Sequence, residues 1–142
     1  MKLKNIMSTQ LITLDLDSNL DQAKILFDKH KIHHLPVIGE DGELLGLITD
    51  RDLYKHLSPT AGTVKQTTHD FTLLKKKVNL IMSRDIISAS KNLPVKEALV
   101  MLDEYHVSCL PVIDDELRLI GMVSWRDIIK VFAQLQRASK AG

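Results

Sequence analysis

Two short segments of the chain carry a hydroxyl and a carboxyl group at the same spacing. Thr49 is followed three residues later by Asp52, and Ser124 is followed in the same way by Asp127. One carboxylate can accept hydrogen bonds from both vicinal hydroxyls of a sugar such as ribose. The hydroxyl side chain and the free amides of a helix start can meet ribose or phosphate oxygens, because a helix amino terminus attracts anions. These four residues are therefore candidates for holding a sugar phosphate.

The same spacing has a second interpretation that needs no ligand. A hydroxyl residue followed by an acid three positions later is typical of a capping box, in which the two side chains bond each other's backbone. Both interpretations can hold at once, because a capped helix end is still a preorganised one. Arg51 and Arg126 stand beside the two acids and could reach phosphates, or could pair with a neighbouring aspartate.

Other chemistries find little support in the sequence. The six histidines show no zinc-binding spacing with cysteines or acids, and neither a glycine-rich phosphate loop nor a nucleophile elbow is present. The single cysteine, Cys109, lies beside Leu110 and Pro111, which predicts a buried and inert thiol. No acid–base pair or nucleophile–base set emerges, so an enzyme is not indicated.

These residues belong to an internal repeat. At an offset of 75 residues, positions 1–57 align without a gap on positions 76–132, with 16 identical pairs among the 57. The pairs include Met7 with Met82 and Ser8 with Ser83. The sequence therefore predicts a first repeat (1–57), a polar connection (58–75), a second repeat (76–132) and the end of a last helix with a tail (133–142).

Each repeat predicts the same series of elements. In the second copy Val95, Ala98, Leu99 and Leu102 lie on one face of a helix. In each copy a short apolar stretch, with Ile12 or Ile87, precedes the helix. Two strands follow the helix, at 35–38 and 44–49 in the first copy and at 110–113 and 119–124 in the second. A closing helix then begins at Asp50 or Trp125. Because proline cannot donate to a ladder, we expect Pro36 and Pro111 at a sheet edge or strand start. Residues 71–77 of the connection are expected to be helical.

The sequence thus predicts an α/β (α+β) fold of two pseudo-symmetric repeats, each a small sheet packed with helices. One repeat could hardly bury both faces of its sheet, and two copies packed face to face would leave grooves suited to a ligand. The closing helices carry apolar positions, and some of these must remain exposed on a molecule of this size. Because exposed apolar helix faces mark interfaces, the sequence predicts a homodimer. These positions are Leu53, Ile128, Ile129, Val131 and Phe132.

Composition narrows the class of protein. The chain has 142 residues, 44% of them hydrophobic and 26% charged, as expected for a globular protein. A formal net charge of +1 gives no basic field that would favour nucleic acid. The absence of a long apolar run predicts no membrane span, and the lone cysteine fits a reducing compartment. We therefore expect a cytoplasmic protein.

With these motifs in place, the chain resembles a tandem CBS-domain protein, an arrangement called a Bateman module. The resemblance rests on the Leu-Pro-Val-Ile strand after a helix and on the Gly-x-x-Ser/Thr-x-x-Asp segments at 46–52 and 121–127. In its length and its long central connection, the chain is similar to stand-alone bacterial CBS proteins of the acetoin-utilisation type. The resemblance implies regulation by an adenosine-containing ligand, such as AMP, ADP, ATP or another adenosyl compound, without turnover. It also implies a separate regulated partner, which the sequence does not identify.

The resemblance also implies two sites that cross between the repeats. Ile12 and Ile87, with neighbours Thr13 and Ser88, are expected in the first short strand of each repeat. The resemblance implies that the backbone of this strand reads the edge of adenine and that nearby aliphatic side chains enclose the ring. What we call the Asp127 site combines Ile12, Ile32 and His33 with Met122, Ser124 and Asp127. What we call the Asp52 site combines Ile87, Val107 and Ser108 with Leu47, Thr49 and Asp52. Plain core packing is the alternative for each aliphatic residue taken alone.

The histidine pair is the clearest asymmetry between the repeats. His33 and His34 occupy the positions at which the second repeat has Ser108 and Cys109. The family often places basic residues facing phosphates there, and histidines can titrate near neutral pH. Phosphate-bearing ligands are then expected to bind more tightly in acidic than in alkaline solution. The leading hypothesis is a nucleotide-sensing module, and the alternative is a ligand-free dimerisation module.

Overall fold

The computed structural model describes residues 1–141, which form helices and two small sheets. The helices are α1 (Leu20–His30), α2 (Asp50–His56), α3 (Thr68–Leu74), α4 (Val95–Glu104) and α5 (Trp125–Ala141). The strands are β1 (His34–Ile38), β2 (Leu44–Thr49), β3 (Ala89–Ser90), β4 (Cys109–Ile113) and β5 (Leu119–Ser124). Short 3-10 helices cover Leu3–Asn5 and Val78–Leu80. The mixed α/β class and the closing helices from Asp50 and Trp125 are as predicted.

The chain divides into two compact units. The first unit comprises residues 12–86, and the second unit comprises residues 1–11 together with the chain from Ile87 onward. The units are not identical with the sequence repeats, because the opening segment of each repeat belongs to the other repeat's unit. Leu3 is buried in the core of the second unit and Val78 in the core of the first. Backbone bonds hold both, from Leu3 N to Leu93 O and from Val78 N to Ser18 O, each 2.9 Å long.

In the first unit, α1 packs over the hairpin of β1 and β2. Asn19 caps α1, its side chain accepting from the backbone of Gln22 at 2.9 Å. Leu20, Ala23 and Phe27 are the buried residues of α1, and their spacing places them on one helix face. The strands β1 and β2 pair antiparallel with a bulge after Val37. The second unit repeats this arrangement with α4, β4 and β5, and adds the parallel strand β3 beside β4.

A short contact on each side extends both hairpins. In the first unit Leu14 forms a parallel bridge to Val37 of β1, and Ser83 forms an antiparallel bridge to Leu47 of β2. In the second unit β3 pairs with β4, and Ser8 bridges Met122 of β5. The residues that flank each hairpin therefore come from the segments 8–14 and 83–90, along which the chain passes from one unit to the other.

Two sequence expectations are wrong in detail. Ile12 and Ile87 do not lie in a strand, because pairing begins only at Leu14 and at Ala89. Pro111 lies in the middle of β4, which is the central strand of its sheet, rather than at an edge or a strand start. The proline is tolerated there because β3 pairs only with the two residues that follow it, Val112 and Ile113.

The connection is tied by a buried carboxylate. Its helix is α3, which covers Thr68–Leu74 and so begins and ends three residues before the expected 71–77. Asp70 is 1% exposed and accepts hydrogen bonds from the hydroxyls of Ser58 and Thr60 and from the backbone N–H of Thr67. These donors hold the pKa of the Asp70 carboxyl well below its usual range. The connection is therefore an ordered part of the first unit.

Candidate functional site

The Thr49–Asp52 pair forms a reciprocal capping box at the start of α2. The Thr49 hydroxyl accepts from Asp52 N at 3.0 Å, and Asp52 Oδ2 accepts from Thr49 N at 3.2 Å. The interpretation of this spacing as a capping box is therefore confirmed. The other oxygen of the carboxylate, Oδ1, has no hydrogen-bond partner among residues 1–141. A half-buried carboxylate held by one oxygen can still offer the other to a hydroxyl group.

The second repeat builds the same cap with a serine. Asp127 Oδ2 accepts from the backbone N–H of Ser124 at 2.8 Å and from its hydroxyl at 3.1 Å. Asp127 Oδ1 likewise has no partner within the described part of the chain. Both carboxylates are thus held in one orientation by the local backbone. Each unit presents one preorganised hydroxyl–acid pair where a strand passes into a helix.

The two arginines beside the caps differ in their surroundings. The guanidinium of Arg126 lies over the Trp125 ring, with Cζ 5.7 Å from the ring centroid. Arg51 follows Asp50, whose carboxylate accepts from the Arg51 backbone N–H at 2.8 Å. Neither guanidinium forms an ion pair with an acid in residues 1–141. The expected alternative, an ion pair with a neighbouring aspartate, is therefore not formed among these residues, and both cations face solvent.

The histidine pair does not present two cations. His33 is exposed, and its Nδ1 lies 2.7 Å from Asp50 Oδ2. His34 is half-buried, and burial lowers its pKa below the ordinary value of 6.5, more than the nearby Asp50 and Asp52 carboxylates raise it. His34 is thus a neutral imidazole at neutral pH. Of the two, only His33 keeps the exposure that a phosphate contact would need.

Ser108 and Cys109 occupy the matching place in the second unit. Ser108 O accepts from Trp125 N at 3.0 Å, as His33 O accepts from Asp50 N at 3.1 Å in the first unit. Cys109 is buried, and desolvation raises the pKa of its thiol to about 12. The prediction of a buried cysteine is confirmed, and the raised pKa disfavours the reactive thiolate. The two chain segments are thus similar in backbone and different in side-chain chemistry.

The aliphatic candidates pack at the margins of the two cores. Ile12 and Ile32 are partly buried against the core of the first unit, and Ile87 and Val107 against that of the second. Core packing therefore accounts for one face of each side chain. Each stays partly exposed, so a second face remains for contact with a ligand.

The backbone beside Ile12 has hydrogen-bonding groups without protein partners. Between Ser8 and Leu14 the described structure contains no backbone hydrogen bond, although both end residues are bonded. Leu14 N donates to Pro36 O and Ile38 N donates to Leu14 O, both at 2.9 Å. In a parallel ladder the next donor along β1 would be the N–H of residue 36, and its acceptor the carbonyl of Ile12. Because residue 36 is proline, that carbonyl stays unused.

The second repeat has the same arrangement. Ala89 pairs in parallel with Val112, which follows Pro111, as Leu14 pairs with the residue that follows Pro36. The ladder thus stops at Pro111 before it reaches Ile87. The proline of each Leu-Pro-Val-Ile strand leaves a main-chain acceptor free at the position expected to read a ligand. Sequence reasoning missed this role, and only the register of the parallel pairing reveals it.

The bridges at Ser8 and Ser83 hold one end of the segments that lead to Ile12 and Ile87. Ser8 exchanges both backbone hydrogen bonds with Met122, at 2.9 and 3.0 Å, and Ser83 exchanges both with Leu47, at 2.9 Å each. Ile12 and Ile87 follow these serines by four residues each. Sequence reasoning missed the two bridges, although the identity of both serines at the repeat offset was a visible signal.

Within the described part of the chain, no cluster of three or more His, Cys, Asp or Glu side chains could hold a metal ion. No helix in residues 1–141 has the length and apolar character needed to cross a membrane.

Comparison with known proteins identifies the repeats. The CBS domain family matches residues 3–59 and 77–134. A CBS domain-containing protein of Dictyostelium discoideum is 36% identical over 134 residues, covering 93% of this chain and 91% of that protein. The L-aspartate semialdehyde sulfurtransferase of Methanocaldococcus jannaschii is 33% identical over 129 residues, or 91% of this chain. This chain spans only 23% of the sulfurtransferase's length.

Solved structures show the same fold. The CBS domain pair of protein MJ0100, in complex with 5'-methylthioadenosine and S-adenosyl-L-methionine, superposes with a TM-score of 0.77 at 30% identity, covering 94% of this chain and 97% of that one. A Vibrio cholerae protein named AcuB, for acetoin utilization, superposes with a TM-score of 0.82 at 21% identity, covering 100% and 97% of the two chains.

Proposed function

The chain belongs to the CBS domain family, and on that premise we propose that it is a regulatory module that binds an adenosine-containing ligand without converting it. The observation that carries the proposal is the repeated combination of a free main-chain acceptor with a preorganised carboxylate. Adenine offers an amino group as donor, and ribose offers two hydroxyls. Ile12 or Ile87 can accept from the first, and Asp127 or Asp52 from the second.

The pairing of each acceptor with a carboxylate follows the Asp127 and Asp52 sites that the family resemblance implies. Within the second unit, the bridge from Ser8 to Met122 holds the strand that leads to Ser124 and Asp127. Within the first unit, the bridge from Ser83 to Leu47 holds the strand that leads to Thr49 and Asp52. The ligands of the MJ0100 domain pair, both adenosyl compounds, support the ligand class.

In this proposal phosphates are optional. The exposed guanidiniums of Arg51 and Arg126 and the exposed ring of His33 could meet them, whereas the neutral imidazole of His34 could not attract them by charge. Adenosyl compounds with a thioether or sulfonium in place of phosphate therefore belong in any ligand panel. Ligand occupancy would control a separate protein through the surface of the module.

A thermal-shift panel tests the proposal. The full chain is melted with AMP, ADP, ATP, S-adenosylmethionine and 5'-methylthioadenosine, and with 2'-deoxy-AMP as the matched control that lacks one ribose hydroxyl. A ligand at about 100 times its dissociation constant stabilises the folded state by about 2.7 kcal/mol, which is several degrees in melting temperature. At least one ribonucleoside should raise the melting temperature, and 2'-deoxy-AMP should do so less than AMP if AMP is a ligand. A flat response to all five ribonucleosides at millimolar concentration would refute it.

One observation favours a second function, a dimerisation module without a ligand. Apolar side chains of α4 and α5 remain exposed, including Ile129 at 51% and Leu135 at 55%. Leu99 is 44% exposed, although Val95, Ala98 and Leu102 of the same predicted helix face are buried. Exposed apolar helix faces mark interfaces. This alternative predicts self-association together with a flat thermal-shift panel.

A further inference from the structure

Each unit contains a methionine packed on a glycine of the Gly-x-x-Ser/Thr-x-x-Asp segment. A Cβ at Gly46 would overlap the Sδ of Met82 and clash with the Cγ and Cε of the same methionine. A Cβ at Gly121 would overlap the Sδ of Met7. Neither glycine has a positive φ, so backbone conformation does not require glycine at either position. Space for the methionine does.

The two contacts are reciprocal between the repeats. Met7 lies near the start of the first repeat and packs on Gly121 of the second. Met82 lies near the start of the second repeat and packs on Gly46 of the first. Each methionine is followed by the serine that exchanges two hydrogen bonds with the residue after that glycine, Met122 or Leu47. A packed side-chain contact and a two-bond bridge thus fix the same short stretch of backbone.

The stretch that follows has no backbone hydrogen bonds of its own. From Ser8 the described chain makes no backbone hydrogen bond until Leu14, and this span contains Ile12 and Thr13. Apart from the packing of Ile12 on the core of the first unit, its backbone is held at the two ends. One end is the Leu14 pairing with β1, and the other is the anchor at Met7 and Ser8. From Met82 and Ser83 the chain leads in the same way to Ile87 and Ser88.

We infer that Met7 and Met82 are positioning residues, which act through Gly121 and Gly46 to hold the ligand-reading backbone of the Asp127 and Asp52 sites respectively. The inference rests on the proposed function and deepens it. It gives the glycine of the motif a role in packing, and it makes each site depend on a residue that does not touch the ligand.

Substitution of Met82 tests the inference at one site while the other serves as a control. Met82→Ala removes the anchor, so ligand binding must order backbone that was previously held. Ordering one residue costs enough to weaken binding roughly tenfold. Calorimetric titration with the best adenosyl ligand of the panel should show one of two binding steps weakened. Met82→Leu, which keeps the volume, should restore that step to within about threefold.

A matched variant separates positioning from stability. Phe27→Leu alters the same core, since Phe27 and Met82 are 4% and 8% exposed within one buried cluster. This variant should lose melting temperature and keep both binding steps. A double substitution tests the contact itself: Gly46→Ala alone should impair the Asp52 site, and addition of Met82→Ala should relieve the clash. The double variant should then bind more tightly than Gly46→Ala alone.

Amide hydrogen exchange gives a readout that needs no ligand. Ser83 N and Leu47 N take part in the bridge, so their protection should fall in Met82→Ala and persist in Phe27→Leu. Unchanged protection at both amides in Met82→Ala would overturn the inference, as would additive effects of the two substitutions. If the wild-type protein binds no adenosyl compound, the proposed function fails, and exchange at these amides still decides whether the methionine is the anchor.

Discussion

The carboxylates of Asp52 and Asp127 serve the helix start with one oxygen and leave the other available. Their ligand role and their capping role can therefore be separated by experiment. Asn keeps one carbonyl oxygen, which can still accept from the backbone of Thr49 or Ser124. It lacks the charge and the second acceptor that two ribose hydroxyls need.

We expect Asp52→Asn and Asp127→Asn each to weaken adenosyl-ligand binding at one site by roughly ten- to a hundredfold, the worth of a charge-assisted hydrogen bond. Melting temperature should change much less, because the cap is retained. Calorimetry and thermal melting of both variants check this. Intact affinity with a clear loss of melting temperature would assign both acids to capping alone.

The free carbonyl of Ile12 depends on the proline opposite to it. Pro36→Ala restores an N–H in β1 that can bond this carbonyl and withdraw it from a ligand. Binding at the Asp127 site should weaken by roughly two- to tenfold, the range for a neutral hydrogen bond, while the Asp52 site is unaffected. Pro59→Ala, at an exposed proline of the connection, is the control. The prediction is contradicted if the new backbone amide of the Pro36→Ala variant is protected from exchange and ligand affinity is nevertheless unchanged.

His34 should make stability depend on pH. Its pKa is lower in the folded chain than the ordinary 6.5, so below that value the unfolded chain binds more protons. Stability should therefore fall as pH decreases from 6.5 through the folded-state value, by at most about 1.4 kcal/mol per pH unit for one proton. Denaturant melts of His34→Gln should show a shallower decline than the wild type, and His69→Gln, at an exposed histidine, should not.

Among the elements, α3 and the connection depend on the buried Asp70. The carboxylate is satisfied by two hydroxyls and a backbone amide, all of which are donors. An asparagine would turn its NH₂ group toward one of these donors. Because neither group can accept, the NH₂ and the donor that it faces would both lack a hydrogen-bond partner.

Asp70→Asn should lower the melting temperature at neutral pH. The pKa of Asp70 is depressed when folded, so the stability it contributes is present above the ordinary value of 3.8 and is lost as pH falls below it. The variant should therefore approach the wild type in acid. Melting curves at pH 7 and near pH 3 test this, with Asp85→Asn at an exposed acid as control. An equal deficit at both pH values would show that charge is not the cause.

Strands and helices were predictable wherever local pattern determines them. The spacing of Ala98 and Leu102 specifies α4, and the Thr49–Asp52 pair marks the start of α2 in both interpretations. The position of Ile12 just outside a strand was not predictable, because it depends on where a parallel ladder ends. Pairing between distant segments also determines that Met82 packs on Gly46. The repeat shows that both residues recur, but periodicity does not reveal which one contacts which.

At the scale of the whole molecule, the two repeats provide an internal comparison for self-association. Ile129 of α5 is 51% exposed, and its counterpart at the repeat offset, Tyr54 of α2, is also 51% exposed. Tyr54 donates a hydrogen bond to Asp28, which in turn pairs with Lys24. Of the five closing-helix positions, Ile129 and Phe132 are the exposed ones, while Leu53, Ile128 and Val131 are buried. The exposed positions among these five thus belong to the second unit.

If the protein forms a homodimer through this surface, Ile129→Lys should convert it to a monomer at micromolar concentration, because burial of a lysine side chain without a partner is costly. Tyr54→Lys, which has the same exposure in the other unit, should leave the dimer intact. Light scattering measures both. A wild-type monomer, or a dimer that survives Ile129→Lys, would remove this face from the interface.

The exchange of opening segments bears on how such a chain could have arisen. A gene that encoded one repeat alone would produce a polypeptide whose core lacks its own first residues, because Leu3 and Val78 each complete the core of the other repeat. Such a polypeptide could fill its core only by exchanging opening segments with a second molecule. Duplication and fusion of the gene would make that exchange intramolecular. Cleavage within the connection should accordingly leave two fragments that remain associated, since each still supplies the residues that the other's core requires.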